Sequence, residues 1–243
     1  MQCLILAGGL ATRMRPLTET FPKSLLEVAG EPFAFHQLKW LASHGVTEVV
    51  YSIGFKVEMI RQAVGDGARF GLRVSYVDEG HELRGTGGAV RLALESGVLN
   101  DRFLLTYGDS YLPIDFGQVW EAFVRADAPA LMTVYRNEEL FDASNVIYEA
   151  GRVTLYEKGL KTKPPGMKWI DYGLSALKRE EVAQGIPSLD PLKGEKLDLS
   201  VLFHQLSRSG KLMGYEVSSR FYEIGSFSGL EDLSVFLQSQ RNP

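Results

Sequence analysis

The chain has 243 residues, of which 45% are hydrophobic and 23% are charged, a balance typical of one globular domain. Its formal net charge of −4 gives no electrostatic case for a nucleic-acid partner, and its apolar runs fall short of the roughly 18 residues of a membrane span. The single cysteine, Cys3, cannot form an internal disulfide and is assigned no catalytic role. We therefore expect a cytoplasmic protein with no nucleic-acid or membrane partner.

The first predicted strand, residues 2–7, leads into a glycine pair and then into a cluster of cations. The glycines of Gly8-Gly9 let successive backbone N–H groups point at an anion, and Arg13, Arg15 and Lys23 supply three positive charges within eleven positions. The segment GGLATRMR matches neither G-x-x-x-x-G-K-[ST] nor G-x-G-x-x-G. The segment therefore predicts a phosphate-binding site of another type, for example one for a nucleoside triphosphate.

Helix-like and strand-like segments alternate through the rest of the first half. The predicted elements are helix 33–44, strand 48–53, helix 57–64, strand 73–77, helix 88–94, strand 103–106, helix 116–125 and strand 130–135. Such alternation favours a mostly parallel sheet with helices on both faces. Because ligands bind beyond the carboxyl ends of such strands, residues 79–88 and 108–109 are candidate site segments.

From residue 145 the pattern changes to alternating apolar and polar side chains. Strands are predicted at 145–148, 152–157 and 168–177, with a hairpin turn at 149–151 between the first two. The remaining predicted elements are helix 198–208, strands 212–217 and 220–224, and helix 230–240. We expect this half to add a small antiparallel subdomain.

Asp109 is the best metal-ligand candidate on residue type and position. It follows a buried strand directly after Gly108, which places a carboxylate at a strand end with room for a ligand; an ordinary aspartate turn is the alternative. The four histidines show no metal-ligand spacing and are interpreted as structural or solvated: His36, His44, His81 and His204.

The segment LAGGLATRMRPLTETFPKSLLEVAGEPF, from Leu6 to Phe33, resembles the signature of the sugar-1-phosphate nucleotidyltransferases. It keeps the early glycines, the Thr-Arg pair, Pro-Leu-Thr and Pro-Lys at matching spacing. It departs at Ala11, where the family usually has a third glycine, and at Ser24, where proline is common. The resemblance implies an α/β fold with a Rossmann-like mixed, mostly parallel sheet flanked by helices. It also implies a single nucleotidyltransferase domain over 1–243, with a nucleotide-binding half at 1–136 and a sugar-binding half with closing elements at 137–243.

The activity that the resemblance implies is transfer of a nucleotidyl group from a nucleoside triphosphate to a sugar 1-phosphate, with Mg²⁺ as cofactor. Arg13 is implied to contact the β- and γ-phosphates, which its planar fork suits, and Lys23 to lie near the α-phosphate. Other implied nucleotide-binding residues are Leu6, Gly8, Gly9, Thr12, Glu79, Gly85, Thr86, Gly87 and Gly88.

The implied metal ligands are Asp109, which matches the family's Gly-Asp motif, and Glu223, which stands where the family has an aspartate. Glutamate is longer by one methylene, so direct coordination requires the backbone to withdraw or a water to intervene. Asp115 is the alternative second ligand.

The implied sugar-phosphate site begins with the pair Glu157-Lys158, in which the acid takes sugar hydroxyls and the cation holds the phosphate. Asp171 and Gly173 resemble the family's [ND]-x-G sugar contact. Asn145 is a candidate for a further sugar-hydroxyl contact, with a turn role as the alternative.

The segment EGHELRGTGGA, residues 79–89, resembles the family's base and ribose loop and favours GTP. The carboxylate of Glu79 could accept from N1 and N2 of guanine, whereas uracil offers one such donor. The chain resembles most the heptose and mannose 1-phosphate guanylyltransferases. A uridylyl- or cytidylyltransferase for another sugar phosphate or phosphocholine remains an alternative, as does a non-catalytic regulator that binds a nucleotide sugar. Assembly into a homo-oligomer stays open.

Overall fold

The computed structural model describes residues 1–9, 14–80, 84–189 and 194–241. Over these residues the strands are β1 (Gln2–Leu6), β2 (Glu27–Val28), β3 (Glu31–Pro32), β4 (Glu48–Ile53), β5 (Arg73–Asp78), β6 (Arg102–Tyr107), β7 (Ser110–Tyr111), β8 (Ala130–Arg136), β9 (Val146–Glu149), β10 (Arg152–Tyr156), β11 (Trp169–Lys178), β12 (Leu212–Val217) and β13 (Tyr222–Glu223). The helices are α1 (Leu17–Thr20), α2 (Phe33–Ser43), α3 (Val57–Val64), α4 (Gly85–Glu95), α5 (Phe116–Ala126), α6 (Arg179–Gly185), α7 (Ser200–Arg208) and α8 (Phe227–Arg241).

Within the described residues, nine strands form one mixed sheet in the order β5-β4-β1-β6-β11-β8-β12-β10-β9. Strands β5, β4, β1 and β6 are parallel to one another, and β12 is parallel to β8. Strand β11 runs antiparallel to both of its neighbours, β6 and β8. The predicted α/β class with a mixed sheet and flanking helices is confirmed.

Two apolar layers bury the faces of this sheet. Ile5 packs into a core shared with Leu38 of α2, whereas its neighbour Leu4 packs into the opposite core with Val90 of α4. Successive strand side chains point to opposite faces, so a strand covered on both sides must be apolar throughout. This is why β1 is buried along its whole length.

The antiparallel strands of the second half extend the main sheet and do not form a sheet of their own. Strand β11 lies between β6 and β8 of the first half, and β10 pairs with β12. The predicted hairpin joins β9 to β10, and its turn residues Ala150 and Gly151 have φ values of 47° and 80°. Positive φ at both positions is what a two-residue hairpin turn of type I′ requires.

Element boundaries differ from the predicted ones where a side-chain or tertiary contact sets them. Helix α8 begins at Phe227, three residues before the predicted start, because the hydroxyl of Ser226 accepts a hydrogen bond from the Gly229 N–H. Helix α6 was not predicted; it is short, and its buried Glu181 pairs with Lys211 just before β12. None of the described helices has the length and hydropathy that crossing a bilayer requires.

Candidate active site

A cavity of about 300 Å³ opens at the carboxyl ends of β1 and β6. The predicted residues that line it are Leu6, Gly8, Gly9, Lys23, Glu79, Gly85, Thr86 and Asp109. The loops after the two strands touch through backbone, since Gly108 donates to the Leu6 carbonyl at 2.8 Å and a Cβ on Gly108 would lie 2.5 Å from Cβ of Ala7. Thr12 and Arg13, predicted to contact the nucleotide, lie outside the described residues.

Lys23 and Asp109 form an ion pair on the wall of this cavity. The Nζ atom of Lys23 lies 2.7 Å from Oδ2 of Asp109, and the two side chains are 16% and 40% exposed. The ammonium comes from a short turn after Pro22, and the carboxylate follows β6. An ammonium that could bind a phosphate and a carboxylate that could bind a metal thus meet at one wall of the cavity.

Glu223 lies beside Asp109 because β13 pairs with β7, which places Glu223 opposite Ser110. The Ile224 N–H also donates to the Asp109 carbonyl at 3.0 Å. The pKa of Glu223 is raised to about 7, first by the loss of surrounding bulk water and second by the Asp109 carboxylate, while the Lys23 ammonium opposes both. The carboxylate of Asp109 is therefore close enough to Glu223 to raise the pKa of its carboxyl group.

This pair of carboxylates fits a divalent cation. Mg²⁺ is commonly held by one or two carboxylates, with waters and substrate phosphates as its other ligands. Within the described ranges there is no cluster of three or more ligating side chains, so the pair would depend on such additional oxygens. Asp115, the alternative ligand, accepts from the Gly117 N–H at 2.8 Å and caps α5. The Asp115 carboxylate is therefore the N-cap of α5 and does not belong to the Asp109–Glu223 pair.

Gln37, which was not predicted, holds the turn that carries Asp109. Its Nε2 donates to the carbonyls of Tyr107 at 2.8 Å and Ser110 at 2.9 Å, on either side of Asp109. The side chain is 4% exposed, and its Oε1 atom is buried with no hydrogen bond. A signal was present, because Gln37 lies one turn after Phe33 on the buried face of α2, where a polar side chain needs a partner.

Glu79 presents a buried carboxylate to the cavity. Its Oε1 accepts a hydrogen bond from the Ser52 hydroxyl at 3.0 Å, and a Cβ on Gly8 would lie 2.2 Å from the same atom. Burial is the main cause that raises the pKa of Glu79, and the bond from Ser52 opposes it. Gly8 is thus required for the carboxylate to reach the cavity wall.

The glycines of the predicted base loop pack against another segment of the chain. Gly85 opens α4 with φ +74°, and a Cβ there would lie 2.5 Å from the carbonyl oxygen of Leu197. That oxygen accepts from the Gly87 N–H at 2.8 Å, and the Thr86 hydroxyl accepts from the Leu199 N–H at 2.8 Å. Gly87 and Gly88 are buried inside α4 and do not line the cavity, and an added Cβ on Gly88 would lie 2.5 Å from Cβ of Arg84. That they bind the nucleotide stays a prediction.

Asn145 connects the loops that carry the predicted sugar residues. Its N–H donates to the Trp169 carbonyl, its carbonyl accepts from the Glu157 N–H, and its Oδ1 accepts from the Asp171 N–H, each at 2.9 Å. Asp171 in turn accepts from the Gly173 N–H at 3.0 Å. Asn145 therefore positions both acidic candidates, a role closer to the turn alternative than to direct sugar contact.

Glu157 has a partner that was not expected. His204 Nδ1 lies 2.8 Å from Oε2 of Glu157 and 2.9 Å from the Tyr156 carbonyl oxygen. Both partners are acceptors, so Nδ1 carries the proton. His204, interpreted as structural or solvated, has a structural contact of this kind: from α7 it orients Glu157, a predicted sugar residue.

Predicted residues of both the nucleotide site and the sugar site lie near Tyr107. Burial raises the pKa of this phenol most, and the carboxylates of Asp171, Asp198, Asp109 and Glu223 raise it further. The acidic candidate Asp171 of the second half thus lies within electrostatic range of the Asp109 and Glu223 carboxyl groups. For Asp171 itself, burial raises the pKa and the nearby Lys158 ammonium lowers it.

Comparison with known proteins identifies the family to which the chain is similar along nearly its whole length. Residues 2–240 match the family model described as nucleotidyl transferase. The chain is 34% identical over 167 residues to a glucose-1-phosphate thymidylyltransferase of Streptomyces antibioticus, an alignment covering 68% of this chain and 45% of the relative. It is 30% identical over 231 residues to a mannose-1-phosphate guanylyltransferase of Mycobacterium tuberculosis, covering 93% of this chain and 61% of the relative.

A solved structure shows the same fold. HddC from Yersinia pseudotuberculosis superposes with a TM-score of 0.78 at 21% identity, covering 97% of this chain and 99% of that one. At this identity the likeness concerns the fold alone. The chain spans about half to three-fifths of the length of the two curated relatives.

Proposed function

This chain belongs to the nucleotidyl transferase family, and from that premise we propose that it transfers a nucleotidyl group from a nucleoside triphosphate to a sugar 1-phosphate. The observation that carries the proposal is the cavity at the ends of β1 and β6, where Lys23 and Asp109 meet at 2.7 Å. A phosphate-binding cation and a metal-binding carboxylate there suit a triphosphate better than a neutral ligand.

The reaction requires an oxygen of the sugar phosphate to attack the α-phosphorus in line. A new P–O bond forms as the bond to pyrophosphate breaks, and no protein nucleophile is needed. Lys23 neutralises charge at the α-phosphate, and Arg13 contacts the β- and γ-phosphates. Mg²⁺, held by Asp109 and Glu223, would supply further charge neutralisation at the phosphate oxygens.

The sugar phosphate binds along the second half of the chain. Lys158 neutralises its phosphate, and Glu157 and Asp171 accept hydrogen bonds from its hydroxyls. Asn145 bonds to the backbone of both acidic residues and His204 to the Glu157 side chain, so these acceptors are oriented before the sugar arrives. Pre-oriented acceptors suit a polyol, which has several hydroxyl donors.

GTP is the proposed nucleotide, with mannose or heptose 1-phosphate as acceptor. The buried Glu79 carboxylate matches the adjacent N1–H and N2–H donors of guanine, whereas uracil and thymine set one N–H between two carbonyls that would repel it. Likeness to the guanylyltransferase of M. tuberculosis along 93% of the chain supports this choice. Because a thymidylyltransferase is also similar to this chain, the test below compares nucleotides with different bases.

Pyrophosphate release with each of GTP, UTP, dTTP and CTP, paired with mannose, heptose and glucose 1-phosphates and phosphocholine, tests the proposal. We expect turnover with GTP and mannose or heptose 1-phosphate. Turnover with CTP and phosphocholine alone would reverse the substrate assignment. Nucleotide binding without turnover on any pair would favour a non-catalytic regulator.

A further inference from the structure

Lys23 and Asp109, assigned above to different ligands, are partners in one ion pair. Lys23 Nζ contacts Oδ2 of Asp109 at 2.7 Å, and the Ser110 hydroxyl lies 3.4 Å from Oδ1. The ammonium is mostly buried and also lies beside Gly225, where an added Cβ would be 3.5 Å away. It therefore sits between the strand-end loop that carries Asp109 and the segment that follows Glu223.

While this ammonium remains in place, it weakens the binding of a divalent cation by Asp109. The lysine supplies the positive charge that the carboxylates would otherwise obtain from the metal, and two cations at contact distance from one oxygen repel each other. A triphosphate in the same cavity offers the ammonium a stronger anionic partner than one carboxylate. Moving Nζ from Asp109 to the phosphate would free Oδ2 for a metal.

We propose that Lys23 weakens the binding of divalent cations by Asp109 until a polyphosphate draws the ammonium away, so that polyphosphate and cation each promote binding of the other. The inference rests on the proposed function only in taking a triphosphate as the physiological ligand. Because coupling between two binding sites is reciprocal, the same ion pair weakens metal binding without polyphosphate and polyphosphate binding without metal.

The first test measures Mn²⁺ binding to the nucleotide-free protein by electron paramagnetic resonance. Lys23→Met removes the charge and retains the side-chain volume, and we expect it to bind Mn²⁺ about tenfold more tightly than the unsubstituted protein, within the range of typical couplings. Lys23→Arg should remain close to the unsubstituted protein. Lys39→Met removes a surface charge paired with Glu31 and controls for net charge. Equal or weaker Mn²⁺ binding by Lys23→Met would overturn the proposal.

The second test uses inorganic triphosphate in the presence of a chelator, which makes the result independent of the nucleotide base. At about pH 8.5, above the pKa of about 7 of Glu223, Asp109→Asn releases Lys23 and should bind triphosphate more tightly than Glu223→Gln, which then removes a nearly equal charge but leaves the ion pair intact. Equal gains in the two variants would mean that net charge, and not release of Lys23, is the cause. If triphosphate binds none of these proteins, the proposed function fails, whereas the Mn²⁺ result still decides the role of Lys23.

Discussion

Gln37 shows at the scale of one residue how an uncharged side chain supports a charged site. Its amide bonds the carbonyls on both sides of Asp109, and no other group of the described site holds that turn from α2. Among the described residues, Gln37 is the side-chain donor to both carbonyls, which would lose that donor if the amide were removed. The direction of the Asp109 carboxylate thus depends on a residue outside the cavity lining.

We expect Gln37→Leu to lower the free energy of unfolding by about 1–3 kcal/mol, because two buried carbonyls lose their donor. It should also weaken Mn²⁺ binding severalfold, since the turn that carries Asp109 is no longer held. Urea titration and Mn²⁺ titration measure the two effects. Gln238→Leu, on the exposed side of α8, is the control. Lost stability with unchanged Mn²⁺ affinity would limit Gln37 to a structural role.

Glu79 decides the proposed base preference. In Glu79→Gln one carboxylate oxygen becomes an amide donor, so guanine loses an acceptor while uracil gains a donor for a carbonyl. We expect kcat/KM for GTP to fall by roughly tenfold to a hundredfold and kcat/KM for UTP to fall less or rise. Steady-state kinetics with both nucleotides measure this. Glu58→Gln, exposed on α3, should change neither, and an equal fall for both nucleotides would remove the base-reading role.

At the scale of elements, the start of α4 is determined by a segment more than a hundred residues later in the chain. The backbone around Leu197 bonds to Arg84 and Gly87, and Leu199 bonds to Thr86. The Leu197 carbonyl satisfies the Gly87 N–H, one of the groups that a helix start leaves unpaired, and the contacts together allow α4 to begin three residues before its predicted position. The glycine-rich sequence therefore serves close packing of backbone at least as much as ligand approach.

Thr86→Val tests this contact, because valine has the shape of threonine without the hydroxyl. The Leu199 N–H would lose its acceptor, and we expect the free energy of unfolding to fall by about 1–2 kcal/mol. Thr86→Ser keeps the hydroxyl and should retain most of the stability. Urea denaturation of both variants gives the comparison, and equal losses would show that the bond to Leu199 is not the cause.

At the scale of the whole molecule, the carboxyl groups of the candidate site make the stability of the fold depend on pH. The pKa of Glu223 is raised to about 7 by lost hydration and by Asp109, and burial raises the pKa of Glu79 and of Asp171. Each of these carboxyl groups keeps its proton when folded at a pH where the unfolded chain has lost it. Folding therefore binds protons between the ordinary and the raised pKa values.

The stability that Glu223 contributes should consequently be greatest below the ordinary glutamate pKa of 4.5. It should decline as the pH rises through the raised pKa of about 7. We expect the melting temperature of the metal-free protein to fall between about pH 5 and about pH 8. Glu223→Gln, which cannot titrate, should show a smaller fall. Thermal melts across this pH range measure it, and parallel curves for the two proteins would contradict the assignment.

The sequence by itself determined the α/β class, most strand and helix bounds, the hairpin at 149–151 and eight of the residues that line the cavity. The elements depend on local chemistry, because apolar periodicity reports buried faces and glycines with cations report an anion site, whereas residues such as Glu79 and Thr86 follow from the resemblance of their segment to a known family. The insertion of β11 between β6 and β8, the Gln37 clamp, the Leu197 contact and the Lys23–Asp109 pair were decided only by the tertiary structure. These contacts join residues far apart in the chain, and strand order, which local periodicity does not encode, brings them together.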